Sequence, residues 1–276
     1  MGKNRSNVRI SSNTQKRRLR SSTPLNLTKN RYAFLRREWF DDVQFLICRP
    51  RKDADTKMAA TFKGGHNGVN HNHNDLGTFS VAVGSKYLIY DPGAEIYTNR
   101  TFSKNRYQGD LPNSFGHPVP RVAGELQVPA KDAHRAGTGS YAYATVLEKS
   151  FDENRDRVVL DLTNAYRVDA MANLTRAFVF DRSAKGQVEV TDEVGFTRPD
   201  NFETALITYA NWTLNEDGSL IISDGEAAIH VTVSSEAGAL EFNHCILKES
   251  ATPTRLSWRL KNPVTKARVQ ITMQPQ

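Results

Sequence analysis

The residues best suited to chemistry lie in Asn70-His71-Asn72-His73-Asn74-Asp75, followed by Asp91 and His117. Four of the seven histidines (His66, His71, His73 and His117) fall within about fifty positions. His71 and His73 form a His-x-His pair. Successive side chains on a β-strand alternate faces, so such a pair on a strand points one way. Imidazole suits zinc or another borderline metal, and a carboxylate such as Asp91 is a common further ligand. A plainer reading fits the same residues. Asn-rich and Gly-rich segments form loops, and Asn74 and Asp75 can close a turn without binding anything. Residue chemistry alone leaves both readings open.

The flanks show how such ligands would be held. Residues 78–83 and 87–90 read as two strands joined by the turn Gly84-Ser85-Lys86. Asp91-Pro92-Gly93 breaks the second strand. The His-x-His pair thus leads into one strand, and Asp91 closes its neighbour. Residues 43–47, 141–146, 158–162, 174–180, 187–190, 205–208, 220–222, 228–233, 256–260 and 267–272 also read as strands. Turn signals such as Asn215-Glu216-Asp217-Gly218 separate many of them. No long segment carries a convincing 3.6-residue period. The pattern predicts an all-β fold, a multi-stranded antiparallel sandwich of two sheets. Residues 99–136 are polar and rich in Pro and Gly, and long loops of this kind often carry function.

Charge divides the chain. The net charge of +7 comes from its start, because residues 1–37 hold eleven Lys or Arg and no acid. The rest holds 26 basic and 30 acidic residues. Residues 1–30 read as a disordered basic tail, with the folded domain spanning 31–276. The tail has no apolar core of a secretory signal, so no signal peptide is visible. Lys16-Arg17-Arg18-Leu19-Arg20 admits a nucleic-acid or nuclear-address reading. No basic-aromatic pattern recurs in the body, so no nucleic-acid partner is expected. No apolar run reaches the ~20 residues of a membrane-spanning helix. Cys48 and Cys245 make no disulfide framework. They read as two small buried hydrophobes, with a single bridge left open.

Several stretches together resemble the C-terminal β domain of heparinase II/III-like polysaccharide lyases. They are Phe62-Lys63-Gly64-Gly65, Asn70 through Phe79, Asp91-Pro92-Gly93 with Tyr97, and Gly116-His117-Pro118. Residues 175–180 and 190–194 also fit, and the resemblance runs from about Tyr32 to the C-terminus. It implies a β-sandwich that packs on a helical toroid, with an acidic polysaccharide or oligosaccharide in the cleft between them. It implies zinc bound by His73, Asp91 and His117, with His71 and Tyr107 as catalytic groups facing the substrate. It also implies a periplasmic or secreted protein. Only about thirty residues precede the region of resemblance. The toroid is therefore expected on a missing segment or on another chain, and this chain alone is expected to lack part of the active site.

The reaction implied is β-elimination on a uronic-acid polymer of the glycosaminoglycan or alginate type. A base removes the proton α to the uronate carboxylate, and the 4-linked oxygen leaves with a proton from an acid. Charge developing on the carboxylate must be met by fixed donors. His71 suits either proton-transfer role, because its ordinary pKa is ~6.5. Zinc is expected to support the geometry around His71. Arg100, Arg106 and Arg121, with Lys104 nearby, are candidates for binding substrate, since guanidinium grips carboxylate or sulfate bidentately. The alternative function is a non-catalytic, metal-stabilised β-sandwich that binds acidic glycans. The tail reading has its own test. Deleting residues 1–30 is expected to leave the thermal midpoint nearly unchanged, and a large loss of stability would show that the segment packs on the sandwich.

Overall fold

The computed structural model describes residues 35–93, 95–129, 142–247 and 252–276. The expected disordered tail, residues 1–30, lies outside them. The regular structure of the described residues is almost wholly antiparallel strand, as the alternation requires. The first five make a meander in sequence order: β1 (Arg37–Phe40), β2 (Phe45–Cys48), β3 (Met58–Lys63), β4 (Phe79–Val83) and β5 (Lys86–Ile89).

An eight-stranded sheet follows, formed by β7 (Thr145–Phe151), β8 (Arg155–Asp161), β9 (Met171–Asp181), β10 (Gln187–Asp200), β12 (Asn211–Leu214), β13 (Leu220–Asp224), β14 (Ala227–Ser235) and β17 (Val264–Pro275). Its order is β12-β13-β14-β17-β10-β9-β8-β7. A four-stranded sheet, β15-β16-β11-β6, holds β6 (Arg121–Val122), β11 (Phe202–Thr208), β15 (Leu240–Ile246) and β16 (Thr254–Leu260).

The four- and five-stranded sheets adjoin. Tyr90 N–H donates to the Ile207 carbonyl at 2.9 Å, and Thr208 Oγ1 donates to the Leu88 carbonyl at 2.7 Å. Together they make one layer of the sandwich, and the eight-stranded sheet makes the other. The layers meet through inward-facing alternates. Met58, Ala60 and Phe62 of β3 are buried, as are Leu174, Phe178 and Phe180 of β9. Phe62 stacks on Phe178 with ring centroids 4.8 Å apart. Burying a large apolar side chain of this kind contributes ~1.5–3 kcal/mol.

Most expected strands are present, several with different limits. The strand expected at 187–190 runs on to Asp200, past a register shift at Gly195. The strand expected at 141–146 starts only at Thr145. Strands β1, β3, β6, β12 and β15 lie where no strand was expected. Cys48 is buried, but Cys245 is exposed on β15 and both are free. No bridge joins them, and only one is a core residue. Among the described residues no helix is long and apolar enough to cross a membrane.

One polar group sits at the centre of this apolar interior. Arg176 of β9 and Asp192 of β10 are register partners, and both face inward at 0% and 1% exposure. Arg176 Nε and Nη2 donate to the two Asp192 oxygens at 2.7 and 2.8 Å. Its Nη1 donates to the Gly77 carbonyl at 2.9 Å and the Pro118 carbonyl at 2.7 Å. Nη2 also reaches Thr204 Oγ1 at 3.3 Å, and that hydroxyl donates to Asp192 at 2.9 Å. All five guanidinium N–H groups thus have acceptors. Breaking a buried pair on one side leaves an uncompensated charge. Asp192→Ala is expected to cost about 3–5 kcal/mol in denaturant unfolding. A loss below ~1 kcal/mol would show that the backbone carbonyls alone satisfy the guanidinium.

Candidate metal centre

The site is made by two loops that the strands hold in place. The first joins β3 to β4 and carries His71, His73 and Asp75. The second follows β5, starting at Asp91, and runs through His117 to β6. Gly77 ends the first loop at φ +83, a left-handed conformation that glycine adopts without a Cβ penalty. A Cβ there would also press on Leu162 and Arg176. Gln127 fixes the loop backbone from inside. Its amide accepts from Leu76 N–H at 2.9 Å and donates to the Leu76 carbonyl at 2.7 Å. Asn74 N–H donates to the Pro112 carbonyl at 3.0 Å, which ties the first loop to the second.

His117 follows the 3-10 turn Ser114–Gly116 and is wholly buried. A Cβ on Gly116 would run into the Asp110 carbonyl, so this turn closes tightly only with glycine. Arg255 of β16 is buried and donates to the Phe115 and His117 carbonyls at 2.9 and 3.2 Å. The imidazole is therefore held by its own backbone and by one ring contact. Nε2 lies 2.8 Å from the Leu111 carbonyl. A carbonyl only accepts, so Nε2 carries the proton. In the neutral ring the Nδ1 lone pair then faces Asp91, whose Oδ1 is 2.9 Å away. Nδ1 has no aligned hydrogen-bond partner. A lone pair against a carboxylate is repulsive unless a proton or a metal ion lies between them.

Asp75 completes the group. One ligand atom each from Asp75, Asp91 and His117 lies within 4.8 Å of the others. Two carboxylates and an imidazole are a donor set for a borderline divalent ion. The buried Nδ1 of His117 adds to the fit, because it faces the Asp91 carboxylate at 2.9 Å without an aligned hydrogen bond. His73 sits alongside, with its ring centroid 5.3 Å from that of His117. The structure thus brings two of the three expected ligands, Asp91 and His117, together with Asp75, and leaves His73 at the margin. Asp75 also closes a turn through its backbone, whose carbonyl accepts from Thr78 N–H at 3.0 Å.

The charges in this group are strongly perturbed. Burial, reinforced by the positive charge on His117, lowers the His73 pKa to about 4. Burial opposes the charged form of Asp91, but the His117 cation outweighs it and takes Asp91 down to about 2. Burial likewise disfavours a charged His117, yet Asp91, Asp75 and the Leu111 carbonyl hold its pKa above the ordinary value. Burial raises Asp75 despite the Lys63 ammonium beside it.

The remaining expected residues surround this centre. His71 and His73 do not lie on a strand. His71 is exposed in a turn at φ +58, uncommon for a residue with a Cβ. The two rings therefore differ in setting: His73 is half-buried against His117, and His71 is open to solvent. Arg106 clamps the turn. Its guanidinium donates to the His71 carbonyl at 3.2 Å and to the Asn72 carbonyl at 3.2 and 3.0 Å. It also donates to the Thr101 carbonyl at 3.2 Å. Arg100 pairs with the buried Glu95 and donates to the Arg106 carbonyl at 3.1 Å. Arg121 donates to the Gly124 carbonyl at 2.8 Å and lies 4.0 Å from Glu203. Tyr107 is half-buried in the 3-10 turn Arg106–Gln108, with the Arg106 guanidinium 5.9 Å from its ring centre. All three arginines thus bond to the protein itself.

No model of a known protein family matches this sequence, and no curated protein matches it. Solved structures do. The heparinase III BT4657 gene product superposes with a TM-score of 0.66 at 14% identity, covering 87% of this chain and 35% of its own. Heparan sulfate lyase HepC from Pedobacter heparinus gives 0.65 at 14% identity, covering 88% and 36%. A further heparinase III structure gives 0.65 at 14% identity, covering 87% and 36%. This chain spans about a third of the length of those lyases and carries the fold of that third of them.

Proposed function

We propose that this chain is the β-sandwich part of a polysaccharide lyase that cleaves uronic-acid-containing chains by β-elimination. The observation that carries the reading is the buried His117, whose Nδ1 gathers with one ligand atom each of Asp91 and Asp75 within 4.8 Å, on the same loops that carry the exposed His71. The likeness to heparinase III and heparan sulfate lyase folds supports the same reading. It also supports placing the protein in the periplasm or outside the cell.

The residues divide the work. Asp91, His117 and Asp75, with His73 turning in, would hold a zinc ion. Zinc there would tie the two loops together and keep the surrounding backbone fixed. His71 is the proton-transfer group on this side of the cleft, because its imidazole is open to substrate while its backbone is held by Arg106. Tyr107, on the same clamped loop, is the second candidate for moving a proton. Arg100 and Arg106 serve substrate by fixing this loop, and the charge they keep on it favours a polyanion. Arg121 does the same at the far end of the second loop.

An assay for the ultraviolet absorbance of unsaturated uronates tests this, with heparin, heparan sulfate and alginate oligosaccharides. The isolated chain is expected to bind acidic oligosaccharides and to eliminate them slowly, since it offers one wall of a cleft. His71→Ala is expected to lower that turnover by ~10²–10⁴-fold with metal content and binding unchanged. Elimination unaffected by His71→Ala would overturn the assignment. Binding with no elimination would favour the non-catalytic reading.

The centre also predicts an acid response of metal-stripped protein. His73 titrates near 4 when folded against an ordinary 6.5, so the unfolded chain binds more protons between those values. Stability must then fall as pH falls through that window. His73→Asn is expected to flatten the drop in thermal midpoint between these pH values. An unchanged slope would show that His73 is not the group responsible.

A further inference from the structure

The metal centre already holds one cation, which belongs to the chain. Lys63 ends β3, and its Nζ lies 2.5 and 2.6 Å from the two oxygens of Asp75. The same carboxylate supplies one of the three ligand atoms gathered within 4.8 Å. Asp75 is thus claimed from two sides, by an ammonium and by a ligand cluster that it forms with Asp91 and His117.

The chemistry of this pair differs from that of the permanent ion pairs in the fold. Arg176–Asp192 and Arg182–Asp156 are guanidinium pairs with both side chains essentially fully buried. A guanidinium grips carboxylate through a rigid fork. At the metal centre the cation is a lysine, and its side chain is 25% exposed while Asp75 is 6% exposed. An ammonium is a compact charge on a flexible stem. The Lys63 side chain is partly open to solvent, so the ammonium can retreat along its flexible stem without being stranded in the interior.

We propose that Lys63 is the internal counter-cation of the centre. It neutralises Asp75 when no metal is bound and competes with an entering divalent ion for that carboxylate, and so sets the affinity. The inference rests on the metal reading above and assigns Lys63 a role that reading does not need. Backbone bonds keep the competition in place. Lys63 N–H donates to the Thr78 carbonyl at 3.0 Å, and Gly77 N–H donates to the Lys63 carbonyl at 2.8 Å. Lys63 and the Asp75 turn therefore move as one unit, and only the side chains can exchange partners.

The test is calorimetric titration of Zn²⁺ into chelator-stripped full chain, with circular dichroism to confirm folding. Removing a positive charge a few ångströms from a dication, after screening, is expected to tighten binding by roughly tenfold or more in Lys63→Met. Lys63→Gln gives the same reading should the methionine variant misfold. Lys63→Arg keeps the charge and is expected to bind no tighter than wild type. Asp75→Asn is expected to weaken binding, and the gain from Lys63→Met should shrink in that background because the shared carboxylate is gone. Wild type that binds Zn²⁺ while Lys63→Met and Lys63→Gln bind no tighter would overturn the role of Lys63 and leave the metal reading standing. Equal tightening in Lys63→Arg and Lys63→Met would also overturn it, since size rather than charge would then decide. Wild type that binds no Zn²⁺ would overturn the metal reading, and this inference with it.

Discussion

The candidate site depends on where one guanidinium sends its hydrogen bonds. Arg176 of the eight-stranded sheet faces an interior in which Phe, Leu and Val predominate. Two of its bonds leave the sheet and end on backbone carbonyls, Gly77 in one loop and Pro118 in the other. Gly77 lies two residues after Asp75, and Pro118 directly follows His117. A charge placed in a low-dielectric interior is costly unless every donor is met. Each loop is therefore held to its position by the need to satisfy a buried cation. The sandwich does not merely carry the site; the buried Arg176 bonds to both of the loops that form it.

The same principle is repeated at smaller scale. Arg255 fixes the carbonyls around His117, Gln127 fixes those around Leu76, and Arg106 fixes those of His71 and Asn72. Irregular backbone lacks the ladders that satisfy its polar groups, so side chains must do so instead. This explains how loops without strand or helix geometry can hold Asp75, Asp91 and His117 together. It also explains why the imidazole of His117 has a fixed tautomer: its second nitrogen was assigned by a carbonyl before any ligand is considered.

The sandwich was legible because half-buried strands alternate, and β4, β8, β9 and β14 show that pattern over much of their length. Strand β15 did not, since none of its residues is buried and its last four are exposed. Strand β10 hid its length behind Gly195 and Pro199, which mark a register shift rather than an end. Asp91 and His117 were legible from their positions at strand and turn boundaries. Asp75 was not legible as a candidate ligand because a turn-closing Asp and a ligand Asp look the same in sequence, and here the turn-closing residue also joins the candidate group. The strand argument for His71 and His73 failed for a local reason, the left-handed turn at His71. The engagement of Arg100 and Arg106 by backbone carbonyls could not be read at all, because it depends on which loops meet.

Arg100 and Arg106 lock the loop between Glu95 and Gln108 from beneath. Its outward side chains, among them Ile96, Tyr97, Phe102 and Lys104, are exposed and carry little of that locking. The loop thus separates two kinds of residue that are usually entangled, those that keep its shape and those that meet whatever lies above. Substitutions on the outer set leave the inner lattice intact. Lineages could exchange aromatic, aliphatic and cationic groups there and so diversify ligand preference, while the buried centre stays under independent constraint.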